Sequence, residues 1–219
     1  MNQDLNFSFL NEHWPTFAKA ALTTLQLSAV GVVLGTLFGV MFALMRISTV
    51  GLLRFLAGAY IELIRGTPMI VQILIIYYGL TTFGINLPPF TAGVVALTIN
   101  SAAYMAEVFR AGIQAIDKGQ YEAARSLGMT RAMAMRHVVL PQAFRNMLPA
   151  IGNEFIIIIK DSSLVAFIGI GELMYTARNL QSSLFLPTEP LLVIAAIYFI
   201  MTFTLSNLLR ALERKLTKS

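Results

Sequence analysis

The sequence has no cysteine and few charged residues, which make up 12% of its 219 positions. The lack of cysteine excludes disulfide bonds, cysteine-ligated zinc and thiol catalysis. The two histidines, His13 and His137, lack metal-ligand spacing, so we predict no metal site. No Gly-x-x-x-x-Gly-Lys-Ser/Thr phosphate loop is present, and we therefore expect the chain neither to hydrolyse ATP nor to act as an enzyme.

Hydrophobic residues take the place of the missing charges. They form 57% of the chain, and the mean hydropathy is +0.71, whereas a soluble domain carries roughly a quarter charged residues. These values indicate an integral membrane protein embedded in the lipid bilayer. The net charge of +5 could suggest nucleic acid, but the basic residues lie beside hydrophobic runs, where membrane topology explains them better. Residues 1–6 lack the basic region of a cleaved signal peptide, so we expect the first span to remain in the membrane.

Hydrophobic runs predict an all-α fold with five transmembrane helices in one domain that covers residues 1–219. The spans are expected at about 20–45, 55–80, 90–112, 144–168 and 191–209. Pro68 should kink or break the second span. Gly31, Gly35 and Gly39 lie on one helical face, which favours close packing against a helix of this subunit or of a second one. Residues 172–183 predict a short amphipathic helix at the far interface.

Most basic residues fall on one side of this arrangement. Twelve of the 16 share that side: Arg46, Arg54, Arg110, Lys118, Arg125, Arg131, Arg136, Arg145, Arg210, Arg214, Lys215 and Lys218. The positive-inside rule makes it the cytoplasmic side. We therefore expect the N-terminus outside and the C-terminus in the cytoplasm.

The longest polar segment, residues 117–141, predicts two short cytoplasmic helices. Asp117 can cap the first one, with Gln120 completing a pair of the capping-box type. Gly128 supplies a left-handed residue that ends this helix. Thr130 can cap the second helix, which we expect to stop before Pro141. A capped pair of this kind is suited to docking, although a solvated connecting loop is the simpler alternative.

This segment also contains a spaced motif. Glu122-Ala123-Ala124 is followed by three residues, Gly128, nine residues, Val138, one residue and Leu140-Pro141. The pattern resembles the EAA loop of permease subunits of bacterial ATP-binding-cassette (ABC) importers, with Val138 in place of the usual isoleucine. Residues 62–72, 100–107 and 152–154 resemble the branch for polar amino acids, which includes histidine, glutamine and arginine permeases. The resemblance extends from about residue 16 to about residue 215.

The resemblance implies a type I importer permease in the bacterial cytoplasmic membrane. Its implied partners are two cytoplasmic ATPase subunits that bind ATP-Mg, a second copy or a paralogous permease, an extracytoplasmic solute-binding protein and an amino-acid substrate. The chain itself would bind no cofactor. The implied coupling residues are Tyr121, Glu122, Ala123, Ala124, Arg125, Leu127 and Gly128.

Polar residues within the predicted spans are candidates for function. Glu62 with Arg65, Glu107 with Arg110, and Lys160 with Asp161 could form structural ion pairs or gates. Glu154 has no basic residue three or four positions away and could bind a cationic side chain, or it could pair with another helix or subunit. The candidate substrate contacts are Asn100, Ser101, Tyr104 and Glu154, with Gln72 and Asn153 in second rank.

Two other functional classes remain open. An ion-coupled secondary transporter or channel would use the buried carboxylates as relays. The small number of spans, the absence of a visible inverted repeat and the EAA loop count against it. An intramembrane enzyme would need a nucleophile–base pair or a metal constellation, and the sequence shows neither.

Overall fold

The computed structural model describes residues 5–217 and shows an all-helical chain with no strand among those residues. Lys218 and residues 1–4 lie outside this range, so the expectations that involve them stay predictions. The α-helices are α1 (Leu10–Arg46), α2 (Gly51–Arg65), α3 (Met69–Leu74), α4 (Leu80–Thr82), α5 (Pro89–Gln114), α6 (Lys118–Ser126), α7 (Arg131–Ala134), α8 (Leu140–Asp161), α9 (Leu173–Leu184) and α10 (Glu189–Thr217). Two π-helical turns, Ile75–Gly79 and Met135–Val139, join α3 to α4 and α7 to α8, and a 3₁₀ helix, Ser162–Ile168, follows α8.

Three helices in the described part of the chain, α1, α5 and α10, are long and apolar enough to cross a membrane. The pair α2 and α3–α4 passes the same test when taken together, but it bends by 107° at its break. The predicted break at Pro68 is confirmed, because α2 ends at Arg65 and α3 begins at Met69. Length and composition therefore support three or four spans. The fifth predicted span, in α8, and the orientation of the termini stay predictions.

The glycine stripe on α1 packs against α5. A Cβ atom on Gly39 would lie 2.4 Å from the Cβ of Met105, and one on Gly35 would lie 2.5 Å from the Cβ of Ser101. Gly31 makes a similar approach to the same helix. The stripe therefore serves packing within this subunit, the first of the two possibilities left open by the sequence.

The second polar helix does not stop before Pro141. Thr130 caps α7 by accepting a hydrogen bond from the Met133 amide, as predicted, but the helix continues through the π turn into α8. Proline lacks an amide hydrogen, and its ring clashes with the carbonyl four residues earlier in a regular α-helix. The wider π turn Met135–Val139 ends two residues before Pro141 and relieves this conflict, so α7 and α8 form one contiguous helical segment.

Helix α9 begins within one residue of its predicted range and is packed inside the subunit. The carboxylate of Glu172 caps its N-terminus by accepting from the amides of Met174 and Tyr175, at 2.9 and 2.7 Å. The same carboxylate accepts a hydrogen bond from the Tyr198 hydroxyl of α10 at 2.9 Å. Since Glu172 and Leu173 are both fully buried, one face of this predicted interfacial helix belongs to the core that joins α1, α9 and α10.

Candidate functional site

Helix α6 has a defined beginning and a defined end. Oδ1 of Asp117 accepts a hydrogen bond from the Gly119 amide at 2.7 Å. At the other end Gly128 has a φ of +84°, and the Met129 amide donates to the Ala124 carbonyl at 3.2 Å. This is a Schellman C-cap, in which the left-handed residue favours glycine. The Asp117 cap and the Gly128 end of α6 are confirmed. The predicted capping-box pair with Gln120 is wrong, because the Asp117 carboxylate accepts from Gly119 and the Gln120 amide donates to the Asp117 carbonyl at 3.0 Å.

The outer surface of α6 is available for contact. Glu122, Ala123 and Arg125 are exposed, and Leu127 has 82% of its surface accessible. Ala124 is buried and faces inward, where α6 packs against the π turn that leads into α8. Only one of the two motif alanines therefore lies on the outer surface.

Several clefts open in the fold, with volumes of about 690 Å³, about 550 Å³ and less. The cleft of about 550 Å³ borders α6. Its lining includes Tyr121 and Glu122 on one side and Met135 and Val139 of the π turn on the other. Two of the predicted coupling residues, Tyr121 and Glu122, therefore border a cleft whose opposite wall is the first part of the α7–α8 segment.

Gln72 and Asn100 lie together at the break between α2 and α3. The Gln72 amide nitrogen donates to the Ile64 carbonyl at 2.7 Å and to both the carbonyl and the hydroxyl of Thr67, at 3.1 and 2.9 Å. Its amide oxygen accepts from Asn100 of α5 at 3.0 Å. Gln72 thus satisfies carbonyl groups that the broken helix leaves free. Both polar side chains therefore have a structural role at the break between α2 and α3.

The remaining substrate candidates differ in accessibility. Ser101 is fully buried in the α1–α5 interface against Gly35, and its hydroxyl has no hydrogen-bond partner among the described residues. Glu154 is also buried, and its Oε1 has no hydrogen-bond partner among the described residues. Asn153 is exposed, and Tyr104 is 38% exposed. An unsatisfied buried carboxylate oxygen is costly unless a partner supplies a donor.

One of the predicted ion pairs is present and one has a different partner. Arg110 holds Glu107 through two hydrogen bonds, one of them 2.9 Å from Nε to Oε2, as predicted. Glu62 lies 3.9 Å from Arg46 of α1 and does not pair with Arg65. The Arg65 guanidinium instead lies 5.4 Å from the centre of the Tyr104 ring, at a cation–π distance. The expected Glu62–Arg65 pair is therefore wrong, because α2 lies against α1 and α5 and both side chains find partners there.

Lys160 and Asp161 form no ion pair within 4.0 Å in the described part of the chain. Lys160 is exposed and borders a groove of about 360 Å³ between α8 and α10, whereas Asp161 is half-buried. The adjacent positions place the two side chains on different faces of the helix. The sequence reasoning also missed Arg46 as the partner of Glu62, and a search for basic residues at the end of the neighbouring span could have found it.

The chain matches a family model over residues 14–218, and that model is described as the binding-protein-dependent transport system inner membrane component. This chain belongs to that family. The permease is 39% identical to the arginine transport system permease protein ArtQ of Bacillus subtilis (strain 168), over 97% of this chain and 98% of that protein. It is 38% identical to the probable glutamine ABC transporter permease protein GlnM of the same organism, over 98% and 100% of the two chains.

A solved structure agrees with these relatives. The permease superposes with a TM-score of 0.94 on a chain of an amino acid ABC transporter crystallised with histidines, at 51% identity over 97% of this chain and 100% of that one. The resemblance drawn from the EAA motif is therefore confirmed. The permease has the all-helical fold of this family and is an inner-membrane component of a transport system.

Proposed function

We propose that this permease is the transmembrane subunit of an ATP-driven importer for polar amino acids. Two cytoplasmic ATPases that bind ATP-Mg, an extracytoplasmic solute-binding protein and a second permease, identical or paralogous, would complete the complex. The family and the similarity to permeases of arginine and glutamine systems support this proposal.

The observation with most weight is the geometry of α6. A short helix that is capped at both ends presents an exposed leucine, Leu127, beside the exposed charges of Glu122 and Arg125. A rigid projection with an apolar anchor and a polar rim is suited to insertion into a groove of a partner protein. We assign this role to α6, with an ATPase subunit as the partner.

The inner side of α6 provides a route from the ATPase to the membrane. Ala124 packs toward the π turn Met135–Val139, which runs without interruption into α8. Helix α8 in turn contains Asn153 and Glu154. Closure of the ATPases on ATP binding would therefore move α6 and α8 together and open the path outward, and hydrolysis would reset it. This chain forms the path and transmits the motion, while its partners hydrolyse ATP.

Glu154 is the strongest candidate for contact with the substrate. It is buried, and one of its oxygens has no donor among the described residues, so a substrate with an ammonium or guanidinium group could supply one. The exposed Asn153 and Tyr104 are neutral groups suited to the rest of an amino acid. Asn100 and Gln72 would support this site indirectly, by holding the break between α2 and α3 in place. Ser101 stays a candidate of lower rank, because its hydroxyl is fully buried between α1 and α5 and has no hydrogen-bond partner among the described residues.

Uptake into proteoliposomes tests the proposal. The permease, with the subunits that co-purify with it, should take up a polar amino acid when ATP is inside and the binding protein is outside, and an ionophore should not prevent uptake. Uptake that needs an ion gradient and no ATP would establish the secondary-transporter alternative.

A matched pair of variants tests the substrate contact. Glu154→Gln should lower uptake of cationic amino acids more than uptake of neutral ones, because the carboxylate charge is removed while its shape is kept. Glu12→Gln removes an exposed carboxylate near the start of α1 and should change neither. Unchanged uptake and specificity in Glu154→Gln would remove this residue from the site.

A further inference from the structure

A second polar site does not include Glu154 in its lining. A cavity of about 690 Å³ opens between the end of α1, one face of α2 and the last turns of α5. Its charged lining consists of four arginines and two glutamates: Arg46, Arg54, Arg65, Arg110, Glu62 and Glu107. Arginines from three helices thus converge on one space.

The two glutamates do not neutralise the four arginines. Glu107 is engaged by Arg110 through two hydrogen bonds, and Glu62 lies 3.9 Å from Arg46. Arg54 and Arg65 have no carboxylate within 4.0 Å among the described residues. The cavity therefore has a net positive charge and two guanidinium groups that are available to an anion.

Local contacts hold these arginines at the cavity. Nη1 of Arg46 donates to the Arg54 carbonyl at 3.4 Å, and Arg65 lies over the Tyr104 ring. A Cβ atom on Gly58 would come within 2.5 Å of Nη1 of Arg46, so this glycine makes room for the guanidinium. A positive-inside bias alone requires basic residues near the membrane but does not require such a shared cavity.

The other face of α2 is apolar and uncovered. Leu52, Phe55 and Leu63 have 66%, 69% and 65% of their surface accessible. One short helix thus separates a basic cavity from an exposed apolar face. The positively charged cavity is suited to an anionic group, and the apolar face beside it is suited to hydrocarbon chains. A ligand that has both parts, an anionic amphiphile, would contact both surfaces.

We propose that this cavity binds the phosphate group of an anionic phospholipid, whose acyl chains cover the apolar face of α2. Basic pockets between membrane helices are known to bind anionic lipid headgroups. Arginine suits phosphate because its guanidinium donates two parallel hydrogen bonds. The proposal does not depend on what the permease transports.

The test uses the full-length permease, with its co-purifying subunits, in detergent. Lipid binding is measured by native mass spectrometry and by thermal unfolding with phosphatidylglycerol, phosphatidylcholine or inorganic phosphate. We expect phosphatidylglycerol alone to bind and to raise the unfolding temperature. Arg54→Gln should weaken its binding about fivefold, since one arginine near a membrane surface contributes about 1 kcal/mol.

Two further variants separate a built site from general surface charge. Gly58→Ala keeps every charge but displaces Arg46, and it should also weaken phosphatidylglycerol binding. Arg210→Gln removes an exposed arginine from α10 and should leave binding unchanged.

Three results would overturn the proposal. Equal binding of phosphatidylcholine and phosphatidylglycerol would show that the charge has no role. Stabilisation by inorganic phosphate alone would make this a site for a free anion. An equal loss of phosphatidylglycerol binding in Arg210→Gln would show that binding depends only on the overall charge of the protein.

Discussion

The turn at Gly128 allows a test of the coupling between ATP hydrolysis and transport, because a substitution there changes backbone strain alone. Gly128 has a φ of +84°, and a Cβ atom added there would meet nothing within 4 Å. A side chain at this position would therefore cause backbone strain without a steric clash. For a residue with a Cβ atom the left-handed conformation costs roughly 1–2 kcal/mol, and a β-branched residue tolerates it least.

The expected consequence of Gly128→Val is a displaced exit from α6. An energy of 1–2 kcal/mol corresponds to a factor of roughly 5–30 in the population of the native turn. We expect transport per ATP hydrolysed to fall by a factor in this range, while the complex still assembles. The assay measures ATP hydrolysis and amino-acid uptake in the same proteoliposomes.

Gly84 provides the matched control. It has a φ of +78° and also has nothing within 4 Å of an added Cβ, but it lies in the loop between α4 and α5. Gly84→Val should thus impose similar strain without changing the ratio of uptake to hydrolysis. Normal transport by Gly128→Val, or equal uncoupling by Gly84→Val, would refute the coupling role of this turn.

Three further predictions concern stability and are measured by thermal unfolding in detergent. Gly39→Ala should destabilise the permease by about 1–3 kcal/mol, because its Cβ would overlap Met105 of α5. The control Gly51→Ala, whose added Cβ would have nothing within 4 Å, should not destabilise it. Equal unfolding temperatures of the two variants would contradict the packing role of the glycine stripe. Gln72→Leu should cost about 1–3 kcal/mol, since it removes the donor to the partly buried carbonyls of Ile64 and Thr67 and the acceptor of the Asn100 amide; wild-type stability would show that water replaces the amide. Glu172→Ala should cost about 1–3 kcal/mol through loss of the α9 cap and of the Tyr198 hydrogen bond; a smaller loss than in the exposed variant Glu12→Ala would contradict this.

Local signals in the sequence predicted several features well. The caps at Asp117 and Thr130, the left-handed Gly128 and the break at Pro68 all depend on residues within a few positions of one another. Such features follow from backbone stereochemistry, which is the same wherever the segment lies in the fold. The glycine stripe on α1 was predicted for a similar reason, although its partner helix was not.

Features that depend on the crossing of distant helices were not predictable. Glu62 pairs with Arg46 because α2 lies against α1, and nothing in the spacing of Glu62 and Arg65 excludes the local pair. The hydrogen bond between Gln72 and Asn100 joins residues 28 positions apart. The sequence shows that both residues are polar but does not show that they bond to each other, and we therefore predicted them as substrate contacts.

In the proposed mechanism the contiguous helical segment from α7 into α8 would act as a lever. About 24 residues separate Thr130 from Glu154, which at about 1.5 Å per residue corresponds to roughly 36 Å of helix. A tilt of about 5° at the α7 end would displace the far end by about 3 Å over that length. A hydrogen bond is lost over a much smaller displacement. If the segment moved as one body, a modest swing at the α7 end would be sufficient to make or break a contact at Glu154. Pro149 lies inside α8 before Glu154 and is the point at which the segment would bend instead.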